Sequence, residues 1–253
     1  MNLNKENIID VIKNHWLNLT GCTIEDFNSG INFILDSENS KLENTKKIKE
    51  EICVLNFKNG GTIINVADEC FSELKEIIQN FGVNDEKIGQ LLQKKYKGIL
   101  VSYYSVRSYI FNCEKLVSID QNVRKLKKSE KKVFDDFMGK CTENERYNVY
   151  MDFETDFHNF YAYFYEDNIV AIGEYSKIHG DDEVVSLSII VKEGCRGKGY
   201  GKAVVNAMTH KIIEASLVPQ YRADPKNIAS INLAKSLGYE ELINGFSLSI
   251  KQN

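Results

Sequence analysis

The chemically most suggestive stretch of the chain is Val191–Lys202, VKEGCRGKGYGK, which places four glycines in twelve residues. It follows the β-branched run Val184–Val191 and precedes an amphipathic helical pattern. Backbone N–H groups at a helix N-terminus converge on one point and carry the positive end of the helix dipole. Glycines remove the Cβ atoms that keep an anion away, and they permit positive φ. The stretch therefore predicts an anion site, with Arg196, Lys198 and Lys202 adding charge at its rim.

Two common phosphate-binding motifs do not fit this stretch. A Walker A loop requires G-x-x-x-x-G-K-[ST], but Tyr200 follows the correctly spaced Gly194 and Gly199 where the lysine should stand. A dinucleotide-binding G-x-G-x-x-G that begins at Gly197 needs a glycine at the position of Lys202. Both readings fail.

A second segment of interest is Asn227–Tyr239, NIASINLAKSLGY, which predicts a short helix ending at Gly238. One long helical pattern and one extended segment separate it from Arg196. Asp224-Pro225 suits an N-cap followed by the first helical residue.

The surrounding elements predict a sheet with crossing helices, which is an α/β or α+β fold. Asp167-Asn168 is a hairpin turn signal between two strand candidates, and Gly139 fits the C-cap of a helix that opens at Ser129-Glu130. The pattern predicts strands at Val123–Leu126, Phe160–Tyr165, Ile169–Tyr175, Val184–Val191 and Pro219–Ala223, and a long helix from about Gly199 to Ser216.

The part before residue 118 is mixed α and β and carries no chemical signature. Helical spacing covers residues 4–18 and Asp68–Gln79, and extended patterns cover Ile52–Phe57, Thr62–Val66 and Ile99–Phe111.

Composition narrows the class of protein. The 253 residues are 43% hydrophobic and 27% charged, as in soluble globular proteins, and the net charge of −4 argues against a general nucleic-acid binder. No apolar run is long enough to span a bilayer, and the first residues lack a signal-peptide core. The six cysteines are scattered, without CxxC pairs or histidines at metal spacing, which favours reduced thiols in a cytoplasmic protein that binds no metal.

The R-x-x-G-x-G pattern from Arg196 to Gly201 resembles the acetyl-CoA pyrophosphate loop of the GNAT-type N-acetyltransferases, and Asn227–Tyr239 resembles their second CoA motif. The resemblance implies a GNAT domain over residues 119–253, with a mixed central sheet flanked by helices, behind an N-terminal α/β domain of unknown role at 1–118. Leu217-Val218-Pro219, and Ser230 with Leu233-Ala234, are similar to the two-part branch related to the zwittermicin A resistance acetyltransferase.

The resemblance also implies a set of residues that bind acetyl-CoA. The strand before the loop pairs through its backbone with the pantetheine arm, the loop holds the diphosphate, and two polar residues of the last helix lie near both. These residues are Ile189, Ile190, Val191, Arg196, Gly197, Lys198, Gly199, Tyr200, Gly201, Lys202, Asn227 and Ser230.

The general acid and the general base stay open at this point. Many relatives carry a tyrosine that protonates the departing thiolate, but Ala234 occupies that position here, so that Tyr239, Tyr221, Ser230 or water stands in.

For the base, Ser186 and Ser188 occupy the inward sites where a strand glutamate is expected. Glu174 on the preceding strand or Glu183 at the strand entrance is the candidate, with His158 and His179 as further ones.

The function that the resemblance implies is direct transfer of an acetyl group from acetyl-CoA, the co-substrate, to a primary amine of a small molecule. The protein is then a monomer or homodimer without nucleic-acid or membrane partners. The alternative is an acyl-CoA-binding sensor or scaffold that does not turn over.

Overall fold

The computed structural model describes residues 5–20, 23, 25, 30–35, 52–58, 60–110, 112–146, 151–178 and 183–251. The fold is mixed α/β and divides into two compact units. The first unit contains Met1–Val11, Ser108–Arg222 and Asn227–Glu240, and the second contains Ile12–Arg107, Ala223–Lys226 and Glu241–Asn253.

The described strands and helices follow one another in a mixed order along the chain. The strands are β1 Ile31–Leu35, β2 Ile52–Phe57, β3 Thr62–Val66, β4 Ile99–Ile110, β5 Val123–Lys125, β6 Phe160–Tyr165, β7 Asn168–Lys177, β8 Val184–Val191, β9 Val218–Ala223 and β10 Tyr239–Lys251. The α-helices are α1 Lys5–Thr20, α2 Phe71–Phe81, α3 Asp85–Lys95, α4 Lys131–Gly139, α5 Glu143–Arg146, α6 Phe153–Asp156, α7 Tyr200–Glu214 and α8 Ile228–Ser236.

The first unit contains the strand order β9-β8-β7-β6-β5. Neighbouring strands from β5 to β8 are antiparallel, whereas β8 and β9 are parallel. A parallel pair needs a crossover connection, and α7 supplies it. The glycine-rich stretch is therefore the corner at which β8 turns into the crossover helix.

The two faces of this sheet carry different layers. A Cβ at Gly173 would lie 2.6 Å from Met208 Cε and 2.9 Å from Val204 Cγ1, so Gly173 allows α7 to pack closely on one face. On the other face, Ile172 and Ile190 pack with side chains that include four phenylalanines. That second core consists of Leu126, Phe134, Phe137, Cys141, Phe153, Phe160, Ala162, Ile169, Ile172 and Ile190.

The second unit contains the strand order β1-β3-β2-β10 and its own core. β1 is parallel to β3, and β2 is antiparallel to β3 and β10. Helices α2 and α3 cover these strands, and the Asn84 side chain caps α3 by accepting a hydrogen bond from Lys87 N at 2.9 Å.

The sequence-based strands and most helices are confirmed, with two local corrections. Gly139 is the last residue of α4 rather than a left-handed cap, and Lys140 is the C-cap. Asp224-Pro225 does not open a helix, because α8 begins at Ile228 with Asn227 as its N-cap. The domain boundary at residues 118/119 stays a prediction.

Among the described strands and α-helices, five were not predicted: β1, α3, β10 and the two short helices α5 and α6. β10 contains Asn244-Gly245, a pair typical of turns. In the structure a Cβ at Gly245 would collide with the carbonyl of Val54, so the glycine permits close approach to β2 rather than a turn. α3 is short, polar and interrupted by Gly89, which hides its helical pattern.

Within the described ranges, no helix is long and apolar enough to cross a membrane. The cysteines in those ranges, at positions 53, 70, 113, 141 and 195, are free thiols, while Cys22 lies outside them.

The side chain of Asn206 holds the segment before β5 against α7. Its Oδ1 accepts a hydrogen bond from Val117 N at 3.1 Å, and its Nδ2 donates to Val117 O at 2.8 Å. His210 Nε2 lies 2.9 Å from the same carbonyl. Asn206 is 1% exposed, so its amide satisfies the Val117 backbone groups from a buried position on α7.

Replacing Asn206 with Leu removes both hydrogen bonds and keeps the number of side-chain heavy atoms and the branch at Cγ. We expect the free energy of unfolding in urea to fall by about 1–3 kcal/mol, and the Val117 amide to exchange faster with deuterium. The control is the same substitution at Asn232, an exposed residue of α8, with an expected change within about 0.5 kcal/mol. An unchanged deuterium exchange rate at the Val117 amide would show that Asn206 does not hold this segment against α7.

Candidate functional site

The corner between β8 and α7 has the geometry of an anion site. A short 3-10 turn, Glu193–Cys195, follows β8, and Arg196 is extended. Gly197 and Gly199 have φ of 76° and 85°. Residues with a Cβ adopt this left-handed region only at a cost in free energy. Gly199 is the N-cap of α7 and has no side chain with which to cap it. The first amides of α7 are thus left to a ligand or to water.

The glycines of the corner serve two different purposes. A Cβ at Gly197 or Gly199 would have no neighbour within 4 Å, so these residues provide the backbone turn and an open approach. Gly201 is buried, and a Cβ there would lie 2.8 Å from Val191 Cγ2. Gly201 therefore brings the first turn of α7 against the end of β8.

The charged and aromatic residues of the corner point in different directions. Lys198 is exposed and Lys202 is half-buried, so both ammonium groups can reach solvent beside the loop. The Tyr200 ring packs against Tyr163 of β6, with ring centroids 4.5 Å apart. Tyr200 thus anchors the start of α7 to the sheet.

Arg196 ties the corner to its surroundings. Its Nε donates to Val191 O at 3.3 Å and its Nη2 lies 3.1 Å from Glu145 Oε1. The Arg196 side chain is 57% exposed, so its remaining N–H groups face outward. This arrangement suits a residue that positions the loop and also offers charge to an anion.

Glu145 is a site residue that the sequence reasoning missed. Its side chain is only 4% exposed, and Oε2 accepts a hydrogen bond from Thr142 N at 2.8 Å. Burial raises the pKa of Glu145, but the hydrogen bonds from Thr142 and the charge of Arg196 outweigh it and leave that pKa below its usual value. The capping-box spacing from Thr142 to Glu145 is the signal that could have located it.

The strand before the corner loses one of its neighbours. β8 pairs with β9 only from Val184 with Val218 to Leu187 with Tyr221. Ser188–Val191 continue β8 alongside β7. Alternate residues of a strand direct their N–H and C=O groups to the same side, so part of the Ser188–Val191 backbone faces the space that β9 has left. Ile189 and Val191 lie on the α7 face, and Ile190 belongs to the core on the other face.

Tyr221 lies where the pairing of β8 and β9 ends. Its hydroxyl is 2.8 Å from Ser230 Oγ, in the first turn of α8. Burial raises the pKa of Tyr221, so the phenol stays protonated at neutral pH. Asn227 caps the same helix through Oδ1, which accepts from Ser230 N at 3.1 Å. The two predicted polar residues of the second motif are thus adjacent at this point.

Tyr239 is held deeper in the first unit. Its hydroxyl lies 2.7 Å from Thr209 Oγ1, and Thr209 in turn donates to Val205 O at 2.7 Å. Because the single Thr209 proton goes to that carbonyl, Tyr239 is the donor to Thr209. Burial raises the pKa of Tyr239 well above its usual range.

The carboxylate candidates differ in their exposure. Glu174 is 3% exposed and lies directly opposite Ser188, on the face away from α7. Glu183 is exposed at the start of β8, where its carbonyl accepts from Val218 N at 2.8 Å. His158 is exposed after α6, and His179 lies outside the described residues.

These positions bring most of the predicted site together. The corner and the separated part of β8 meet at Val191, which Arg196 and Gly201 both contact. Glu174 and Tyr221 lie on opposite faces of the sheet, close to the last pair of β8 and β9. An acid and a base on opposite faces of such a gap can act on a group that passes through it.

Comparison with known proteins indicates the family that part of the chain resembles. Residues 127–239 match the acetyltransferase (GNAT) family. Among curated proteins none matches the sequence.

Solved structures of GNAT proteins share the fold. A GNAT-family acetyltransferase from Colwellia psychrerythraea has a TM-score of 0.52 at 13% identity, over 98% of each chain. A GCN5-related N-acetyltransferase-like protein from Streptococcus suis 89/1591 has a TM-score of 0.53 at 11% identity, over 96% of this chain and 100% of that one. A GNAT-family protein from Novosphingobium aromaticivorans has a TM-score of 0.50 at 13% identity, over 60% of this chain and 66% of that one, just under two thirds of its length. The predicted GNAT fold is therefore confirmed.

The left-handed backbone of Gly197 and Gly199 predicts a loss of stability when either is replaced by alanine. Gly197→Ala and Gly199→Ala should each lower the free energy of unfolding by about 1–2 kcal/mol, because alanine is strained at positive φ. Gly194→Ala is the matched control, since Gly194 lies in the same loop in open space without a left-handed φ. Its expected change is close to zero. Urea unfolding measures all three, and equal effects would show that the backbone turn is not what the glycines provide.

Proposed function

We propose that the protein is an acetyl-CoA-dependent N-acetyltransferase that transfers the acetyl group directly to a primary amine. The observation that carries this proposal is the continuity between the open glycine corner and the separated part of β8. One element binds an anionic group at a helix N-terminus, and the other offers unpaired strand backbone to an extended chain.

The corner suits the diphosphate of acetyl-CoA. The first amides of α7 and the backbone of Gly197 and Gly199 supply hydrogen-bond donors, and Arg196, Lys198 and Lys202 supply positive charge. Glu145 holds Arg196 in place from below. The corner therefore fixes the donor substrate at its most highly charged part.

The separated strand suits the pantetheine arm and the thioester. Ile189, Ile190 and Val191 continue β8 beyond its last pair with β9, and Asn227 and Ser230 approach from α8. A backbone N–H of this edge polarises the thioester carbonyl and stabilises negative charge on its oxygen. Much of the rate then comes from holding the two substrates in a reactive arrangement.

Glu174 is the better placed base of the two glutamates. Its carboxylate lies opposite Ser188, where the strands part, whereas Glu183 is exposed at the other end of β8. Glu174 accepts the proton of the incoming ammonium group, directly or through a water molecule, and so leaves the amine free to attack.

For the acid, Tyr239 and Tyr221 both remain candidates. The Tyr239 hydroxyl donates to Thr209 within the core. The Tyr221 and Ser230 hydroxyls form a pair at the end of the β8–β9 pairing. That position favours the Tyr221–Ser230 pair as the proton donor to the departing thiolate.

Several finer assignments belong to the same proposal. The acceptor is a small-molecule amine, the GNAT domain occupies residues 119–253, and the first 118 residues form a domain of unknown role. Resemblance at Leu217-Val218-Pro219 supports the two-part branch related to zwittermicin A resistance. In this proposal the protein is a cytoplasmic monomer or homodimer without metal, nucleic-acid or membrane partners.

A non-catalytic acyl-CoA sensor is the second candidate. Ala234, 2% exposed, occupies the position at which many relatives carry the tyrosine that protonates the thiolate. This replacement favours a protein that binds acyl-CoA without turnover. Release of CoA thiol that depends on added amine separates an enzyme from a sensor.

Binding of acetyl-CoA tests the proposed role of the corner. At about 100 times its dissociation constant, acetyl-CoA should stabilise the wild type by about 2.7 kcal/mol in a thermal unfolding scan. Gly199→Asp should lose this shift, because a carboxylate then faces the diphosphate. Gly199→Asn is the matched neutral control, since Asn tolerates positive φ and has the same shape, and it should retain more of the shift. No shift in the wild type would remove the basis of the proposal.

The base assignment is tested by two parallel substitutions. Glu174→Gln should lower kcat by about 10²–10⁴-fold without weakening acetyl-CoA binding. Glu183→Gln serves as the comparison and should leave kcat nearly unchanged. If Glu183→Gln alone slows turnover, the base lies at the start of β8, and unchanged rates in both variants would exclude each of them.

A further inference from the structure

Polar side chains cross the sheet of the first unit on the face away from α7. Glu174 lies opposite Ser188, and Ser186 is paired with Gln220 of β9. Residues two apart on a strand share a face, so Ser188 and Ser186 connect the two ends of this row. The row lies where the apolar core around Ile190 ends.

The far end of the row is a buried hydrogen-bonded pair. Gln220 Nε2 donates to Tyr109 Oη at 2.6 Å, and the two residues are 3% and 0% exposed. Ser186 and Ser188 between them are only partly buried. The row therefore has buried polar groups at both ends and a middle that solvent reaches.

Burying the amide of Gln220 costs free energy wherever its polar atoms lack hydrogen bonds, and an apolar side chain at this depth would avoid that cost. The bond to Tyr109 uses one Nε2 proton and fixes the orientation of the amide. The amide keeps a second Nε2 proton and the Oε1 acceptor, and an amide ligand can meet one donor and one acceptor of this kind.

We propose that Gln220, oriented by Tyr109, binds a carboxamide or peptide group of the acceptor while Glu174 receives its ammonium group. The acceptor is then a primary amine that carries an amide a few bonds away. This inference rests on the proposed acetyl transfer and deepens it by naming the acceptor class.

The spacing of the row sets the reach of the acceptor. Strands lie about 4.8 Å apart and residues about 3.3 Å apart along a strand, so the Cα atoms of Glu174 and Gln220 are roughly 12 Å apart. The Gln220–Tyr109 pair carries no negative charge, so burial of a second ammonium group beside it would be costly.

The test compares matched amines with wild type and Gln220→Leu, a variant of similar volume without the amide. The amide substrates are glycinamide, β-alaninamide and γ-aminobutyramide, and the alkyl controls of the same skeleton are isobutylamine, isopentylamine and isohexylamine. Rates are expressed per concentration of unprotonated amine. The ratio of wild type to variant cancels differences in intrinsic reactivity between the amines.

We expect wild type to favour at least one amide over its alkyl control by about tenfold or more, and Gln220→Leu to lose that preference. The variant should keep acetyl-CoA binding and its rate with the alkylamines. Tyr109→Phe, which frees the Gln220 amide to rotate, should weaken the same preference and serves if Gln220→Leu fails to fold.

The contradicting results are distinct. Wild-type turnover without preference for any amide, or a preference that survives in both variants, overturns the acceptor assignment and leaves the acetyltransferase intact. Acetyl-CoA binding without transfer to any amine overturns the proposed function and this inference with it.

Discussion

The candidate site depends on the separation of β8 from β9 after the pair Leu187–Tyr221. A strand in the middle of a sheet normally has both edges satisfied, and unpaired backbone groups in the interior are costly. Here four residues of β8 continue with β7 alone on one side. The cost is tolerable if another extended chain supplies the missing hydrogen bonds. In the proposed function this edge is the groove for the pantetheine arm, which the backbone alone would form, independent of side-chain identity.

The glycine corner follows from that groove. Gly201 brings α7 against Val191, so the helix N-terminus opens at the end of the groove. Gly197 and Gly199 turn the chain and leave the first amides of α7 accessible. Arg196 and Glu145 then tie the loop to its neighbours. An anionic group and an extended arm can therefore be held by one continuous surface, which is the physical content of the likeness to GNAT proteins.

Part of the fold and of the candidate site could be predicted from the sequence, because local residues alone determine some of its features. Glycine spacing, β-branched runs and the helical pattern that ends at Gly238 depend on neighbours along the chain. The relation of Glu174 to Ser188, and of Gln220 to Tyr109, depends on register between strands that are distant in sequence. β10 escaped prediction because Asn244-Gly245 has a local preference for turns that packing against β2 overrides. Glu145 could not be assigned to the site from the sequence, because a capping box does not show which distant arginine its glutamate contacts.

The decisive experiment is a crystal structure of the wild-type protein with bound CoA. We expect the diphosphate to contact the first amides of α7 and the loop Arg196–Lys202, and the pantetheine arm to run along Ser188–Val191 with backbone hydrogen bonds. A diphosphate bound elsewhere, or an arm that leaves this edge of β8 unoccupied, would contradict this binding mode.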